Sequence, residues 1–129
     1  MGVISDTNIF LAVVLNQPEK AHIIQLTSGI DVVAPEILPY EIGNALSAML
    51  KRGQITNKEA LSAQKATNKI PARLVAIDIL KALKLAIEFN IYAYDAYFLQ
   101  CAMALSSPLI TLDNRMKKIA TDLNIEVLE

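Results

Sequence analysis

Short apolar runs alternating with longer helical stretches constrain this chain most. Val3–Asp6, Asp31–Ala34, Arg73–Ile77 and Pro108–Leu112 each have the length and apolar character of a short buried strand, and Ile125–Leu128 that of a last one. Between them lie helical patterns. Asn8–Asn16 and Glu19–Ser28 read as helices, the second closed by Gly29. Pro39 suits the first turn of a helix that carries Ile42, Leu46, Met49 and Leu50 on one face and ends at Gly53. Thr56 and Glu59 have the spacing of a capping box that opens a helix to about Asn68. Asp78 caps a helix to about Phe89, and Tyr94–Ser106 carries Phe98, Cys101, Ala102 and Leu105 on one stripe. Met116, Ile119, Ala120 and Leu123 mark the last helix. Strands that alternate with helices imply a parallel sheet covered on both faces. The expected fold is a three-layer α/β/α arrangement with about five parallel strands, forming one domain over residues 1–129.

Composition narrows the chemistry. Apolar residues make up 53% of the chain and charged residues 19%, which argues against disorder and leaves apolar surface for a subunit interface. The net charge of −1 weakens a pure nucleic-acid-binding reading, because phosphate affinity comes largely from Lys and Arg. One cysteine, Cys101, permits neither an intrachain disulfide nor a cysteine zinc cluster, and one histidine, His22, excludes paired-histidine metal motifs. No glycine-rich phosphate loop is present, so a nucleotide cofactor is not expected. The longest apolar run, Ile9–Leu15, is too short for a bilayer, and no basic stretch precedes it. The expected setting is the cytoplasm, with no membrane partner.

Four acids stand where a charge is costly. Asp6 and Asp113 end apolar strands, whereas Glu41 and Asp95 open apolar stripes near helix starts. Ligands of parallel α/β folds bind at the carboxyl edge of the sheet, and these positions point there. Each acid alone has an ordinary use, as an N-cap or as a partner of a helix dipole. Together they carry a cost. Two carboxylates about 5 Å apart repel by roughly 3 kcal/mol at an effective dielectric near 20. A divalent cation relieves that repulsion, and oxygen-only donors favour Mg²⁺ or Mn²⁺ over Zn²⁺.

Ser5-Asp6-Thr7-Asn8 after a strand, Glu41 after Pro39, Tyr94-Asp95-Ala96 and Thr111-Leu112-Asp113-Asn114-Arg115 together resemble the PIN-domain family. The likeness is greatest to the VapC-type toxin ribonucleases of toxin–antitoxin pairs, and it spans essentially the whole chain. It implies a Mg²⁺- or Mn²⁺-dependent endoribonuclease with Asp6, Glu41, Asp95 and Asp113 as its acidic site, leaving 5′-phosphate and 3′-hydroxyl ends. It implies Thr7, Asn8 and Thr111 as supporting polar residues, an RNA substrate, a homodimer and an antitoxin partner. Asp6, Asp95 and Asp113 would hold the metal most directly and Glu41 through water, with Thr111 orienting a carboxylate or a water. Arg115 is a candidate phosphate contact.

Other readings differ in class. Haloacid-dehalogenase-type phosphatases expect a second Asp two residues after the first, where this chain has Asn8. A receiver domain needs an acidic pair after the first strand and a lysine after a late strand, and neither is visible. A PIN nuclease without an antitoxin, or a non-catalytic PIN-like module binding RNA or a partner, is the alternative. Tyr92, Tyr94, Tyr97 and Phe98 suit core or interface packing better than base stacking, and Cys101 suits an inert core position.

Overall fold

The computed structural model describes residues 2–129; Met1, which the expected domain includes, lies outside them. The elements run β1 (Gly2–Ser5), α1 (Thr7–Val14), α2 (Lys20–Thr27), β2 (Asp31–Pro35), α3 (Leu38–Lys51), α4 (Asn57–Thr67), β3 (Arg73–Val75), α5 (Ile79–Phe89), α6 (Ala93–Ala104), β4 (Leu109–Ile110) and α7 (Asn114–Asp122). The strands form one sheet in the order β3-β2-β1-β4, and every pairing is parallel.

The α/β sheet expected from sequence is therefore present, with four strands among the described residues instead of about five. The expected strand at Ile125–Leu128 is reduced to a single bridge, Leu109 to Val127. Leu109 N donates to Glu126 O at 2.8 Å, and Leu128 N donates to Leu109 O at 2.9 Å. β4 is only two residues long, so its outer edge offers little more than Leu109 to pair with. β3 likewise stops at Val75 instead of Ile77, as the chain turns toward the Asp78 cap of α5.

Local chemistry explains the helix ends. Asp6, Asp78 and Asp113 each accept a backbone N–H at the start of a helix. Thr56 and Glu59 form the reciprocal capping box. Gly29 (φ 74°) and Gly53 (φ 70°) take the left-handed conformation after α2 and α3, where a side chain would strain the turn.

Alternation along the central strands sorts the core onto the two sheet faces. Ile4 and Leu109 join a larger cluster with Phe98, Leu99, Ile42 and Leu46, and Val3 and Ile110 join a smaller one with Ile9, Ala12 and Ile23. Cys101 is buried in the larger cluster, and burial pushes its thiol up to about 11, as suits an inert core residue. Phe98 is also core, whereas Tyr92 is 85% exposed and therefore outside the core. Among the described residues no helix is long and apolar enough to cross a membrane.

Leu99, wholly buried in α6, has no room to be lost without a cavity. Leu99→Ala is expected to lower unfolding free energy by about 2–5 kcal/mol. Lys58→Ala, at an exposed position in α4, is expected to change it by less than about 0.5 kcal/mol. Urea denaturation measures both, and equal effects would contradict this placement of the core.

Candidate acidic site at the carboxyl edge of the sheet

β1, β2 and β4 lead through short connections into α1, α3 and α7, so these helices start at the carboxyl edge. α6 precedes β4 and returns the chain to the amino edge, so its N-terminus also lies at the carboxyl edge. Asp6 and Asp113 are N-caps of α1 and α7, and Glu41 and Asp95 lie in the first turns of α3 and α6. Four helix starts thus bring the four sequence-predicted acids to one rim.

Asp6 is the deepest of them. It is 7% exposed; Oδ1 accepts from Ile9 N at 3.3 Å, and Oδ2 accepts from the Thr111 hydroxyl. Thr111 Oγ1 in turn accepts from Asp113 N at 3.1 Å. One hydroxyl therefore ties two acids together, and the orienting role expected for Thr111 falls on Asp6. Asp113 Oδ1 accepts from Arg115 N at 2.8 Å and Met116 N at 3.1 Å. Glu41 Oε2 accepts from the Thr7 hydroxyl at 2.7 Å.

Protonation follows from burial and crowding. Desolvation pushes the Asp6 carboxyl up to about 6 against the pull of the Thr111 and Ile9 hydrogen bonds, and the charges of Asp95 and Asp113 add to the rise. Desolvation also raises Glu41, partly offset by the Thr7 hydroxyl, and Asp95 raises it further. Asp95 is raised by desolvation and then by Asp113, with Arg115 drawing it back. Asp95 thus acts electrostatically on both Asp6 and Glu41 and is itself raised by Asp113.

The acids line two clefts that share Asp95. A smaller one of about 150 Å³ is lined by Asp6, Thr7, Asn8, Glu41, Asn44, Ala45, Asp95 and Phe98. A larger one of about 410 Å³ is lined by Asn90, Ile91, Tyr92, Asp95, Asp113, Arg115, Met116 and Ile119. Among the described residues no three Asp, Glu, His or Cys side chains stand close enough to hold one ion as they are turned here. The donor chemistry nevertheless suits a hard cation: carboxylate oxygens of raised pKa, flanked by hydroxyls, with no sulfur or imidazole.

Arg115 has a structural task alongside its expected one. Its Nη2 donates to the carbonyls of Phe89 and Asn90 at 3.1 Å each, closing the C-terminal end of α5. Asn44 and Asn90 line the clefts without having been singled out from sequence. Asn44 had one signal, its position one helical turn after Glu41, whereas Asn90 had only its place after the end of a helix.

The PIN domain family model matches residues 3–122, and the chain belongs to the PIN domain family, a family of nucleases. The resemblance seen in the sequence motifs is thereby established. Comparison with curated proteins gives no match. Among solved structures, PAE2754 from Pyrobaculum aerophilum superposes with a TM-score of 0.68 at 17% identity, covering 96% of this chain and 90% of that one. VapBC2 from Rickettsia felis, bound to a DNA fragment from its promoter, gives 0.69 at 14% identity, covering 98% and 97%. FitAcB from Neisseria gonorrhoeae gives 0.68 at 18% identity, covering 98% and 96%.

A raised carboxyl pKa has a defined effect on folding. The folded state keeps a proton on Asp6 up to about pH 6, whereas the unfolded chain releases it near 3.8, so this group's contribution to stability falls between those values. Two pKa units correspond to at most about 3 kcal/mol. Asp6→Asn removes the titration. With chelator present, its stability relative to wild type should rise by about 2 kcal/mol between pH 4 and pH 7 by urea denaturation. A pH-independent difference would contradict the burial of this carboxyl.

Proposed function

We propose that this chain is a Mg²⁺- or Mn²⁺-dependent endoribonuclease acting as the toxin of a toxin–antitoxin pair. The observation that carries the reading is that four acids, each at the start of a separate helix, face one rim of the sheet, with Asp95 raising the pKa of both Asp6 and Glu41. Membership of a nuclease family supports phosphodiester hydrolysis. Fold neighbours that include VapBC2 and a toxin–antitoxin complex from Klebsiella pneumoniae support an antitoxin partner. The reading places this activity in the cytoplasm.

Asp6, Asp95 and Asp113 would hold the metal and Glu41 would act through water. When bound, the ion supplies a more acidic water and neutralises phosphate charge. The protein's own part is orientation. Thr111 fixes Asp6 and Thr7 fixes Glu41, so neither carboxylate is free to turn away from the rim. Asn8, at the lip of the smaller cleft, offers an amide to substrate or water. Arg115, pinned through one nitrogen, keeps its other donors for a phosphate.

Self-association forms the second half of the proposal, within a single domain over residues 1–129. α5 buries Ala82, Leu85 and Ala86 on one side yet leaves Ile79, Leu80, Leu83 and Ile87 exposed, Ile87 by 74%. An apolar stripe on both sides of one helix suits a homodimer interface.

Asp95→Asn is expected to cleave RNA at less than about 1% of the wild-type rate while keeping its circular-dichroism spectrum. Chelator should abolish wild-type cleavage and Mn²⁺ should restore it. Wild-type cleavage that survives chelation would overturn metal dependence; metal binding without cleavage would favour a partner-binding module.

The double substitution Leu83→Glu and Ile87→Glu is expected to convert a dimer to a monomer in light scattering. An unchanged mass would place the interface elsewhere.

A further inference from the structure

The larger cleft has a lining that metal chemistry does not need. Its floor is Ile91, Met116 and Ile119, its lip is Tyr92, and Asn90 and Arg115 stand beside it. Tyr92 is 85% exposed, the most exposed of the large apolar and aromatic side chains. We propose that this cleft seats one nucleobase of the substrate strand, next to the phosphate that is cut, with Tyr92 as its stacking face. The proposal rests on the ribonuclease reading given above.

Three observations favour a base over a phosphate or an apolar side chain. First, Asp95, Asp113 and Arg115 are the groups already given to the metal and the phosphate, which leaves Ile91, Met116, Ile119 and Tyr92 of the same lining for an uncharged group. Second, an apolar floor with polar neighbours suits a flat ring that has an apolar face and a hydrogen-bonding edge. Asn90 carries both a donor and an acceptor for such an edge. The volume of about 410 Å³ lies in the range of small-molecule sites, about 300–1,000 Å³. Third, Asp95 is the wall common to both clefts, so a strand whose phosphate lies over Asp95 directs its neighbouring base into the larger one.

The lip is also preorganised. Asn90 sits in the left-handed conformation at φ 53°, and Arg115 holds the carbonyls of Phe89 and Asn90. Ile91 N donates to Ala86 O at 3.1 Å, and Tyr92 O accepts the N–H of Ala96 at 3.2 Å as α6 begins. The Tyr92 backbone is therefore fixed between two helices while its ring stands in water. What remains to be ordered when a base stacks on it is the side chain's own two torsions.

The test uses RNA hexamers with 2-aminopurine at each position in turn, bound in Ca²⁺ to the full chain. Wild type and Tyr92→Phe should quench the fluorophore at one position. Tyr92→Ala should lose that quenching and bind about tenfold or more weakly. An abasic residue at that position should erase the difference between Tyr92→Ala and wild type. Unchanged binding by Tyr92→Ala, or a loss that persists with the abasic strand, would overturn the proposal. Binding of no hexamer at all would overturn it together with the ribonuclease reading. Position-specific quenching without cleavage in Mg²⁺ or Mn²⁺ would leave the base site standing and remove the nuclease.

Discussion

The Thr111 hydroxyl holds the site together. It has one proton, and it gives that proton to Asp6, which leaves its oxygen to accept from the backbone of Asp113. The group thereby joins the start of α1 to the start of α7 across the β1–β4 pairing. Without it Asp6 would be a buried carboxylate supported only by the Ile9 amide, in a place where burial already works against its charge. The parallel pairing of β1 and β4 brings the two ends to the same rim, and the hydroxyl sets how their acids are turned.

What the sequence revealed divides by range. Caps and turns depend on a few consecutive residues, so Thr56 with Glu59, Asp78 and the glycines after α2 and α3 were legible. The alternation of strands and helices carried the parallel sheet. The four acids were legible as positions at helix starts; each alone is an ordinary cap or dipole partner, and only the set of four pointed to a site. The Asp6–Thr111 bond joins residues 105 apart, and no local pattern announces it. The last strand misled because Ile125–Leu128 has an apolar pattern, yet pairing needs a partner edge and β4 is too short to provide one. Of the two packing places open to Tyr92, the core is ruled out, because the turn after α5 carries it to the surface.

The electrostatics of the rim and the shape of its clefts lead to different substrate groups. Carboxylates raised by burial and by neighbouring acids suit a cation and, with it, the negatively charged backbone of a nucleic acid. The apolar floor beside Met116 and Ile119 suits the uncharged part of the same polymer. Both requirements meet at Asp95, a half-buried residue whose helix begins immediately after the turn that Arg115 secures. A single arginine therefore influences both halves, through its charge on Asp95 and its hold on the turn.

The shortness of the outer strands has a consequence for assembly. β3 is three residues long, and beyond β4 the chain itself covers Leu109 through the bridge to Val127. Neither margin offers a long ladder of free amides and carbonyls, so a second chain has little backbone to extend the sheet with. Contact between copies is then left to side chains on helix surfaces. There, contact depends on matching shapes and is not propagated from one copy to the next by a repeating hydrogen-bond pattern. A chain built this way offers little edge for growth by strand addition.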